Sequence, residues 1–313
     1  MYTGRLAPSP TGLLHLGHAR TFLVAWWRAR LGGGRLLMRL EDLDGPRAKP
    51  EMAEAALRDL RWLGLDWDGP DYVQSTGLAE ISEAAARLER AGAAYACVCS
   101  RGDVRSAQSA PQQGEAEPRY PGTCRGKYAS VAAAEAESGK AAGLRLKVPH
   151  GLVTVHDELL GERSFDVQSE VGDFLIAKRD RAPAYQLAVV VDDARQGVTE
   201  VVRGEDLLPS AARQLLLQQA LGLPAVKYLH VPLVLDESGR RLAKRADDLS
   251  LQELREGGTD PRAIVAWAAR SCGIATSERV TARVALINFS LARLPKTPVV
   301  LDTETIDALR TAR

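Results

Sequence analysis

Residues 8–18 constrain the fold of this chain more than any other stretch. They read Pro-Ser-Pro-Thr-Gly-Leu-Leu-His-Leu-Gly-His, after a short strand-like run at 5–7 and before apolar residues at helical spacing over 19–31. This order predicts a strand, a turn set by two prolines, and a helix. The first N–H groups of a helix lack internal partners and carry partial positive charge. The turn therefore predicts an anion site that a phosphate fits.

Two histidines and a glycine supply side-chain chemistry at this turn. His15 and His18 are three residues apart, so we expect them close together on one side of the first helical turn. Their imidazoles can donate to phosphate oxygens, and Gly17 lets a flat base or ribose approach the backbone. The alternative interpretation is a turn that carries two ordinary surface histidines.

Composition limits the class of protein. The chain has 313 residues, 45% hydrophobic and 26% charged, which is typical of a globular protein with two domains or with one domain and an insertion. We find no apolar run of membrane-spanning length and no signal peptide, so we expect a cytoplasmic protein without a membrane partner. A net charge of +1 excludes a polycation, and any nucleic-acid surface must be local.

Strand and helix patterns alternate in the first third of the chain. Residues 35–41 predict a strand that ends at Glu41, and 51–63 and 76–91 predict amphipathic helices. This alternation predicts a parallel sheet with crossover helices, in which ligands bind at the carboxyl ends of the strands. A carboxylate there suits an ammonium group, although Glu41 could also be a solvated turn acid.

The rest of the chain is more varied. Residues 100–143 are polar and predict an insertion with long loops. The apolar run 185–191 predicts either a strand or a helix buried on both sides. We expect short strands in the middle third, further strands later, and helices from residue 251 onward; the strands are 144–148, 153–155, 164–167, 174–178, 198–202 and 228–235.

A basic segment follows the last of these strands. Residues 240–245 read Arg-Arg-Leu-Ala-Lys-Arg, after an acidic turn. Four cations in six residues predict a polyphosphate clamp. The alternative is an exposed basic loop.

Three cysteines form a possible metal site. Cys97, Cys99 and Cys124 offer three thiolates, which are good zinc ligands, yet three buried thiols would give the same pattern. The fourth ligand stays open at this point, with water, His150 or His156 as candidates.

Several of these motifs resemble one known family. Residues 5–18 resemble the "HIGH" signature of class I aminoacyl-tRNA synthetases in its glutamyl form, which opens with Arg-x-Ala-Pro-Ser-Pro-Thr-Gly. Residues 240–245 resemble the "KMSKS" loop, with Lys244 at the second lysine, Arg241 at the first and Ala243 at the serine. The two replacements keep the charge and lose a hydroxyl donor.

The cysteine pattern narrows the resemblance. Cys-x-Cys followed by Tyr-x-x-x-Cys is similar to the zinc site of the glutamyl-Q tRNA(Asp) synthetase family, which implies one structural Zn²⁺ held by Cys97, Cys99, Tyr120 and Cys124. The resemblance extends to about residue 309. The chain stops near residue 313, where we would expect a glutamyl-tRNA synthetase to continue toward an anticodon-binding domain.

The resemblance implies an α/β fold and a particular domain organisation. It implies a Rossmann-like parallel-sheet catalytic domain in two halves, a zinc-binding insertion and a helical, stem-contact-like C-terminal region. The first half of the catalytic domain would span 1–95 and the second half 184–248. The insertion would span 96–183, and the C-terminal region 249–313.

The implied activity is a ligase reaction in two steps. Without tRNA, L-glutamate and ATP with Mg²⁺ would form glutamyl-adenylate, and glutamate would then pass to the queuosine base at the wobble position of tRNA(Asp), presented on its anticodon stem-loop. Alternatives are a truncated glutamyl-tRNA synthetase that charges an acceptor end, and a non-catalytic paralogue that binds tRNA or glutamate. We expect a monomer.

The resemblance also assigns residues to each ligand. Glutamate contacts would come from Arg5, Leu6, Ala7, Pro8, Ser9, Glu41, Tyr185 and Arg203. ATP contacts would come from His15, Gly17, His18 and Lys244, and the catalytic groups would be His15, His18, Lys244 and Arg241.

Overall fold

The computed structural model describes residues 1–106, 118–242 and 249–313. Within these ranges the strands are β1 (Thr3–Leu6), β2 (Arg35–Leu40), β3 (Tyr72–Val73), β4 (Ala94–Cys97), β5 (Gly143–Leu146), β6 (Val153–Asp157), β7 (Gly161–Phe165), β8 (Leu175–Ala177), β9 (Glu200–Gly204), β10 (Lys227–Val231), β11 (Val234–Leu235) and β12 (Val299–Val300).

The helices of the same ranges are α1 (Leu16–Leu31), α2 (Pro50–Trp62), α3 (Leu78–Arg90), α4 (Arg101–Ser106), α5 (Val131–Ser138), α6 (Val167–Glu170), α7 (Tyr185–Arg195), α8 (Leu208–Leu221), α9 (Leu251–Glu256), α10 (Pro261–Ser271), α11 (Ala282–Leu286) and α12 (Thr303–Thr311). Across the described parts of the chain, none of them has both the length and the apolar character to cross a membrane.

A parallel sheet forms the centre of the molecule. Strand β2 lies between β1 and β3, and β10 lies between β9 and β6, with every one of these pairs parallel. The Thr199 amide donates to the Thr3 carbonyl at 2.8 Å, which brings β9 beside β1. The carboxyl ends of β1, β2, β9 and β10 therefore meet at one edge, and the predicted Rossmann-like sheet is confirmed.

Helix α1 joins this sheet to the C-terminal helices. Its Trp27 is fully buried and donates from Nε1 to the Ala282 carbonyl at 2.9 Å, which fixes the start of α11. Arg20, also fully buried, donates to the Pro232 carbonyl at 2.6 Å and to Ser271 Oγ at 3.0 Å. These bonds hold the end of β10 and the end of α10 against the helix that follows the histidine turn.

The middle third has its own antiparallel sheet. Strand β5 pairs antiparallel with β4 and with β8, as the mixed pattern predicts. The hairpin β6–β7 lies within residues 96–183 but joins the parallel sheet through β10. The four domain limits stay a prediction.

Residues 185–191 form part of helix α7, which is one of the two structures that the apolar run predicts. Other elements differ from the sequence expectation, among them strand β12, which lies in the region expected to be helical. The strand expected over 228–235 is broken at Pro232, because proline has no N–H to donate to a neighbouring strand. The strand expected over 164–167 is β7, which ends at Phe165.

Candidate active site

The histidine turn caps helix α1. His15 is the N-cap residue, and its Nδ1 accepts from the Gly17 amide at 3.1 Å. His18 Nδ1 accepts in turn from the His15 amide at 3.1 Å, and the two ring centroids are 3.8 Å apart. The predicted proximity is confirmed. Because both Nδ1 atoms accept a backbone N–H, the proton of each neutral imidazole is on Nε2.

Gly17 keeps this arrangement open. A Cβ at this position would lie 3.0 Å from His15 Cε1 and 3.6 Å from Val234 Cβ, so a side chain would press on the capping ring. The first turn of α1 also contains no acidic residue, so the positive end of the helix dipole is not neutralised from within the helix.

A cleft of about 1480 Å³ opens at the carboxyl edge of the parallel sheet. Leu6 is the exception among the predicted ligand contacts that the structure describes, because its side chain is fully buried in the core. Lys244 lies outside the described residues. The others all line the cleft: Arg5, Ala7, Pro8, Ser9, His15, Gly17, His18, Glu41, Tyr185, Arg203 and Arg241.

Buried charges support the floor of this cleft. Arg39 Nη2 donates to Asp193 Oδ1 at 2.7 Å and Nε donates to Glu41 Oε1 at 3.2 Å, while Arg5 Nε lies 3.6 Å from Asp193 Oδ1. Burial raises the pKa of Glu41, although Arg39 and Arg5 oppose the shift. Burial acts to lower the pKa of Arg39, but Asp193 and Glu41 outweigh it and the net shift is upward.

Arg203 is held from three sides. Its Nε donates to His230 Nε2 at 3.0 Å, Nη1 to Gln214 Oε1 at 2.9 Å and Nη2 to the Leu207 carbonyl at 3.1 Å. A guanidinium has five N–H donors. The bonds to the described residues account for three of them, which leaves two for a ligand in the cleft.

The basic segment begins beside the histidine turn. The Arg241 side chain makes an ion pair with Asp206, and its backbone forms an antiparallel β-bridge with Leu235. On the far side of residues 243–248, Ser250 pairs with His15. Arg241 itself lines the cleft, and Ser250 contacts His15, which also lines it.

The three cysteines meet at the end of β4. All three Sγ atoms lie within 4.8 Å of one another, with Cys99 and Cys124 at 3.6 Å. The Tyr120 hydroxyl lies 3.3 Å from Cys97 Sγ and 3.8 Å from Cys99 Sγ. A tetrahedral zinc with bonds of about 2.3 Å sets its sulfur ligands about 3.8 Å apart, so the donor set fits zinc. In the described residues no histidine joins this cluster, so neither His150 nor His156 supplies a fourth ligand there.

Sequence reasoning missed the residues behind the cleft. Arg39 left a detectable signal, because residues two apart on a strand share a face and Arg39 therefore faces the same way as Glu41. Asp193 was visible only as the end of an apolar run. His230 is a lone histidine in an apolar strand, and no local pattern distinguishes such a residue from a core histidine.

Comparison with known proteins gives consistent matches. The family model "tRNA synthetases class I (E and Q), catalytic domain" matches residues 2–308. The glutamyl-Q tRNA(Asp) synthetase of Symbiobacterium thermophilum is 44% identical over 319 aligned positions, which cover 99% of this chain and 98% of the relative. Glutamate–tRNA ligase 2 of Acidithiobacillus ferrooxidans is also 44% identical, over 81% of this chain and 54% of its own length.

The fold comparison agrees with these matches. A glutamate tRNA ligase from Elizabethkingia meningosepticum, solved in complex with its amino acid, superposes with a TM-score of 0.83 at 25% identity, over 98% of this chain and 68% of that structure. With its histidine-capped helix and charged cleft, the chain belongs to the class I (E and Q) tRNA synthetase family and, within it, to the glutamyl-Q tRNA(Asp) synthetases.

Proposed function

We propose that this enzyme activates L-glutamate with ATP without tRNA, and that it then transfers glutamate to the queuosine base at the wobble position of tRNA(Asp). One observation carries the proposal: two buried arginines and one buried glutamate face the same cleft as the histidine-capped end of α1. The name of the relative from Symbiobacterium thermophilum supports both the amino acid and the tRNA.

The buried charges match the charges of glutamate. This ligand has two carboxylates and one ammonium, and the cleft offers Arg5 at the end of β1, with Glu41 after β2 on one side and Arg203 on β9 on the other. Arg203, with two N–H donors left, would bind one carboxylate bidentately, and Arg5 would bind the other. Glu41 would accept from the ammonium. Tyr185 and the backbone from Arg5 to Ser9 would line the rest of the pocket.

ATP would lie against the histidine turn. The Nε2–H groups of His15 and His18 would donate to phosphate oxygens, with the end of the helix dipole behind them. Gly17 would allow the nucleoside to approach the backbone. Arg241 and Lys244 would hold the pyrophosphate end. Mg²⁺, when bound, would neutralise part of the phosphate charge.

The activation step then needs positioning rather than a nucleophile from the protein. The α-carboxylate oxygen of glutamate attacks the α-phosphorus of ATP in line, the bond to the bridging oxygen breaks, and pyrophosphate leaves with that electron pair. Negative charge that develops on the phosphate is stabilised by the histidine N–H donors and by the cations of the basic segment.

The second step uses the same adenylate. The cyclopentene-diol of queuosine offers a hydroxyl that resembles the ribose hydroxyl at an acceptor end. Its oxygen attacks the activated carbonyl carbon, the bond from that carbon to the phosphate oxygen breaks, and AMP leaves with that electron pair. The hydroxyl proton passes to the departing phosphate, and an ester to glutamate forms. No new catalytic group is required for this exchange of acceptor.

Zinc is proposed as a structural ion. Cys97, Cys99, Cys124 and Tyr120 would hold it, since their atoms already lie at distances that tetrahedral coordination requires. Zinc supplies no step of the reaction here; it would fasten the polar insertion to the end of β4.

The decisive experiment measures glutamate activation and then locates labelled glutamate on the RNA. We expect glutamate-dependent pyrophosphate exchange without RNA, and labelled glutamate on queuosine-containing tRNA(Asp) or on its anticodon stem-loop alone. Unmodified tRNA(Asp) and tRNA(Glu) serve as controls and should stay unlabelled. An absolute requirement for tRNA in the exchange reaction would contradict the proposal.

A second candidate function is esterification of an acceptor end. The 44% identity to a glutamate–tRNA ligase over 81% of this chain favours this candidate, because that ligase shares a similar catalytic region. Labelling of tRNA(Glu) at its terminal adenosine would support this alternative.

We further propose that the enzyme works as a monomer in the cytoplasm, where its tRNA substrate is modified. Apart from Leu6, the described residues that would contact glutamate and ATP come from one chain and line one cleft, so no second copy is needed to complete it. Light scattering coupled to gel filtration tests the monomer.

A further inference from the structure

A buried histidine–aspartate pair lies directly behind Arg203. His230 is fully buried and Asp157 is 5% exposed, and neither has a role in the chemistry described above. His230 lies opposite Arg203 in the register of the parallel strands β9 and β10, so the two side chains share one face of the sheet.

The hydrogen bonds fix the tautomer of the ring. Arg203 Nε is a permanent donor and lies 3.0 Å from His230 Nε2, so that nitrogen must accept. The ring proton is therefore on Nδ1, which lies 2.7 Å from Asp157 Oδ2. Burial lowers the pKa of His230, which keeps Nε2 available as an acceptor.

Asp157 is itself fixed by backbone donors. Its Oδ1 accepts from the amides of Leu159 and Leu160 at 3.0 and 2.8 Å, and its Oδ2 accepts from the His230 amide at 2.9 Å. The carboxylate thus orients the imidazole from the end of β6, and the imidazole orients the guanidinium on β9.

We propose that His230, oriented by Asp157, is a positioning residue that holds the Arg203 guanidinium toward the substrate carboxylate and thereby sets the affinity for the amino acid. The inference rests on the proposed function, because it takes Arg203 as a glutamate contact. Gln214 and Leu207 would still hold the two Nη atoms if His230 were changed, so the expected effect is graded rather than complete.

The test compares variants of His230 in pyrophosphate exchange with the full-length protein. His230→Phe keeps a ring of similar size and removes the acceptor. We expect the KM for glutamate to rise about tenfold, which corresponds to about 1.4 kcal/mol, with the KM for ATP unchanged. His230→Gln can place a carbonyl oxygen near the position of Nε2 and should restore most of the affinity.

His156→Phe provides the matched control. His156 lies on the exposed face of β6, where it pairs with Glu162 at 3.2 Å, and its side chain is 74% exposed. We expect this variant to keep both KM values.

Three results would overturn the inference. They are an unchanged KM for glutamate in a folded His230→Phe variant, an equal rise in both KM values, and no recovery in His230→Gln. If His230→Phe does not fold, His230→Asn replaces it, since asparagine reaches Asp157 but is too short to reach Arg203. Equal KM values for the asparagine and glutamine variants would then refute the inference. Absence of glutamate-dependent exchange in the unchanged protein would instead refute the proposed function.

Discussion

Glu41→Gln tests the assignment of the ammonium site. Glutamine keeps the size of the side chain and keeps an oxygen to accept from Arg39 Nε, which lies 3.2 Å from Glu41 Oε1. The substitution removes the negative charge that would face the ammonium of glutamate and that also pairs with Arg39. We expect kcat/KM for glutamate to fall while the KM for ATP stays the same.

The magnitude follows from the burial of this carboxylate. Two opposite charges 4 Å apart at an effective dielectric constant of about 20 attract by about 4 kcal/mol, which is an upper limit. Measured hydrogen bonds to charged groups contribute about 1.5–3 kcal/mol, because the ligand loses its own hydration. Glu41 is already desolvated in the free protein, at 7% exposure, so the upper part of that range applies. A loss of about 2–3 kcal/mol lowers kcat/KM roughly 30- to 150-fold.

The pH dependence gives a second readout of Glu41. Burial raises its pKa and the nearby Asp193 adds to the shift, while Arg39 and Arg5 oppose it. The substrate ammonium stays protonated in this range, so binding requires the ionised carboxylate. We therefore expect kcat/KM for glutamate to fall as the pH drops through the raised pKa, above the ordinary range of an exposed glutamate. Glu41→Gln should lose this limb of the profile.

The stability that Glu41 contributes should change with pH in the opposite direction. Because the folded-state pKa is raised, the stability that this group contributes is fully present below the ordinary pKa of glutamate and is lost as the pH rises through the raised one. The free energy of unfolding of Glu41→Gln should therefore exceed that of the unchanged protein at neutral pH but not at acidic pH.

The assay is pyrophosphate exchange at varied glutamate and pH, with Glu54→Gln on the exposed face of α2 as the control. A kcat/KM within threefold of the unchanged protein across the pH range would refute the assignment. So would an equal loss of affinity for ATP.

Three further predictions concern other parts of the molecule. His18→Ala should slow activation by roughly 10²–10³-fold, as expected for a lost donor to a developing charge, and unchanged single-turnover rates would remove His18 from the mechanism. Cys124→Ser should abolish a stoichiometric zinc content measured by metal analysis, while a metal-free unchanged protein would refute the site. Gly172 has φ +74° and a Cβ there would overlap the Tyr120 carbonyl oxygen, so Gly172→Ala should lower the free energy of unfolding by about 1–3 kcal/mol. Gly197→Ala, at φ +67° with no atom within 4 Å, isolates the backbone contribution, and an equal loss in both variants would show that the overlap has no effect.

The histidine turn could be predicted from the sequence because its geometry is local. A cap and the third residue of the helix interact through bonds that span two or three residues, and no distant element is required. Glu41 was predictable for a related reason, since the end of a parallel strand has a known place in an α/β sheet. Cys97 and Cys99 are also close in sequence, and a polar segment separates them from Cys124.

Other features depended on contacts that sequence patterns do not encode. Arg39 and Asp193 are 154 residues apart, and their 2.7 Å bond exists only because β2 and α7 meet under the cleft. The apolar run at 185–191 was ambiguous because burial on all sides removes the periodicity that separates helix from strand. The expectation of one continuous strand over 228–235 is wrong at its end, because Pro232 interrupts the strand.

The cleft shows why these distant partners matter for function. Each charged group that faces the ligand is supported by a residue from another segment: Arg5 by the Val202 carbonyl at 3.0 Å, Glu41 by Arg39, and Arg203 by His230. A buried carboxylate without a cationic partner would shift its pKa upward until it became neutral, so Arg39 and Arg5 help to keep Glu41 ionised before the substrate arrives. The guanidinium groups stay charged, and their partners fix the direction in which they donate. Selectivity for an amino acid with two carboxylates is thus a property of the assembled sheet, and substitutions behind the cleft should change substrate affinity as directly as substitutions within it.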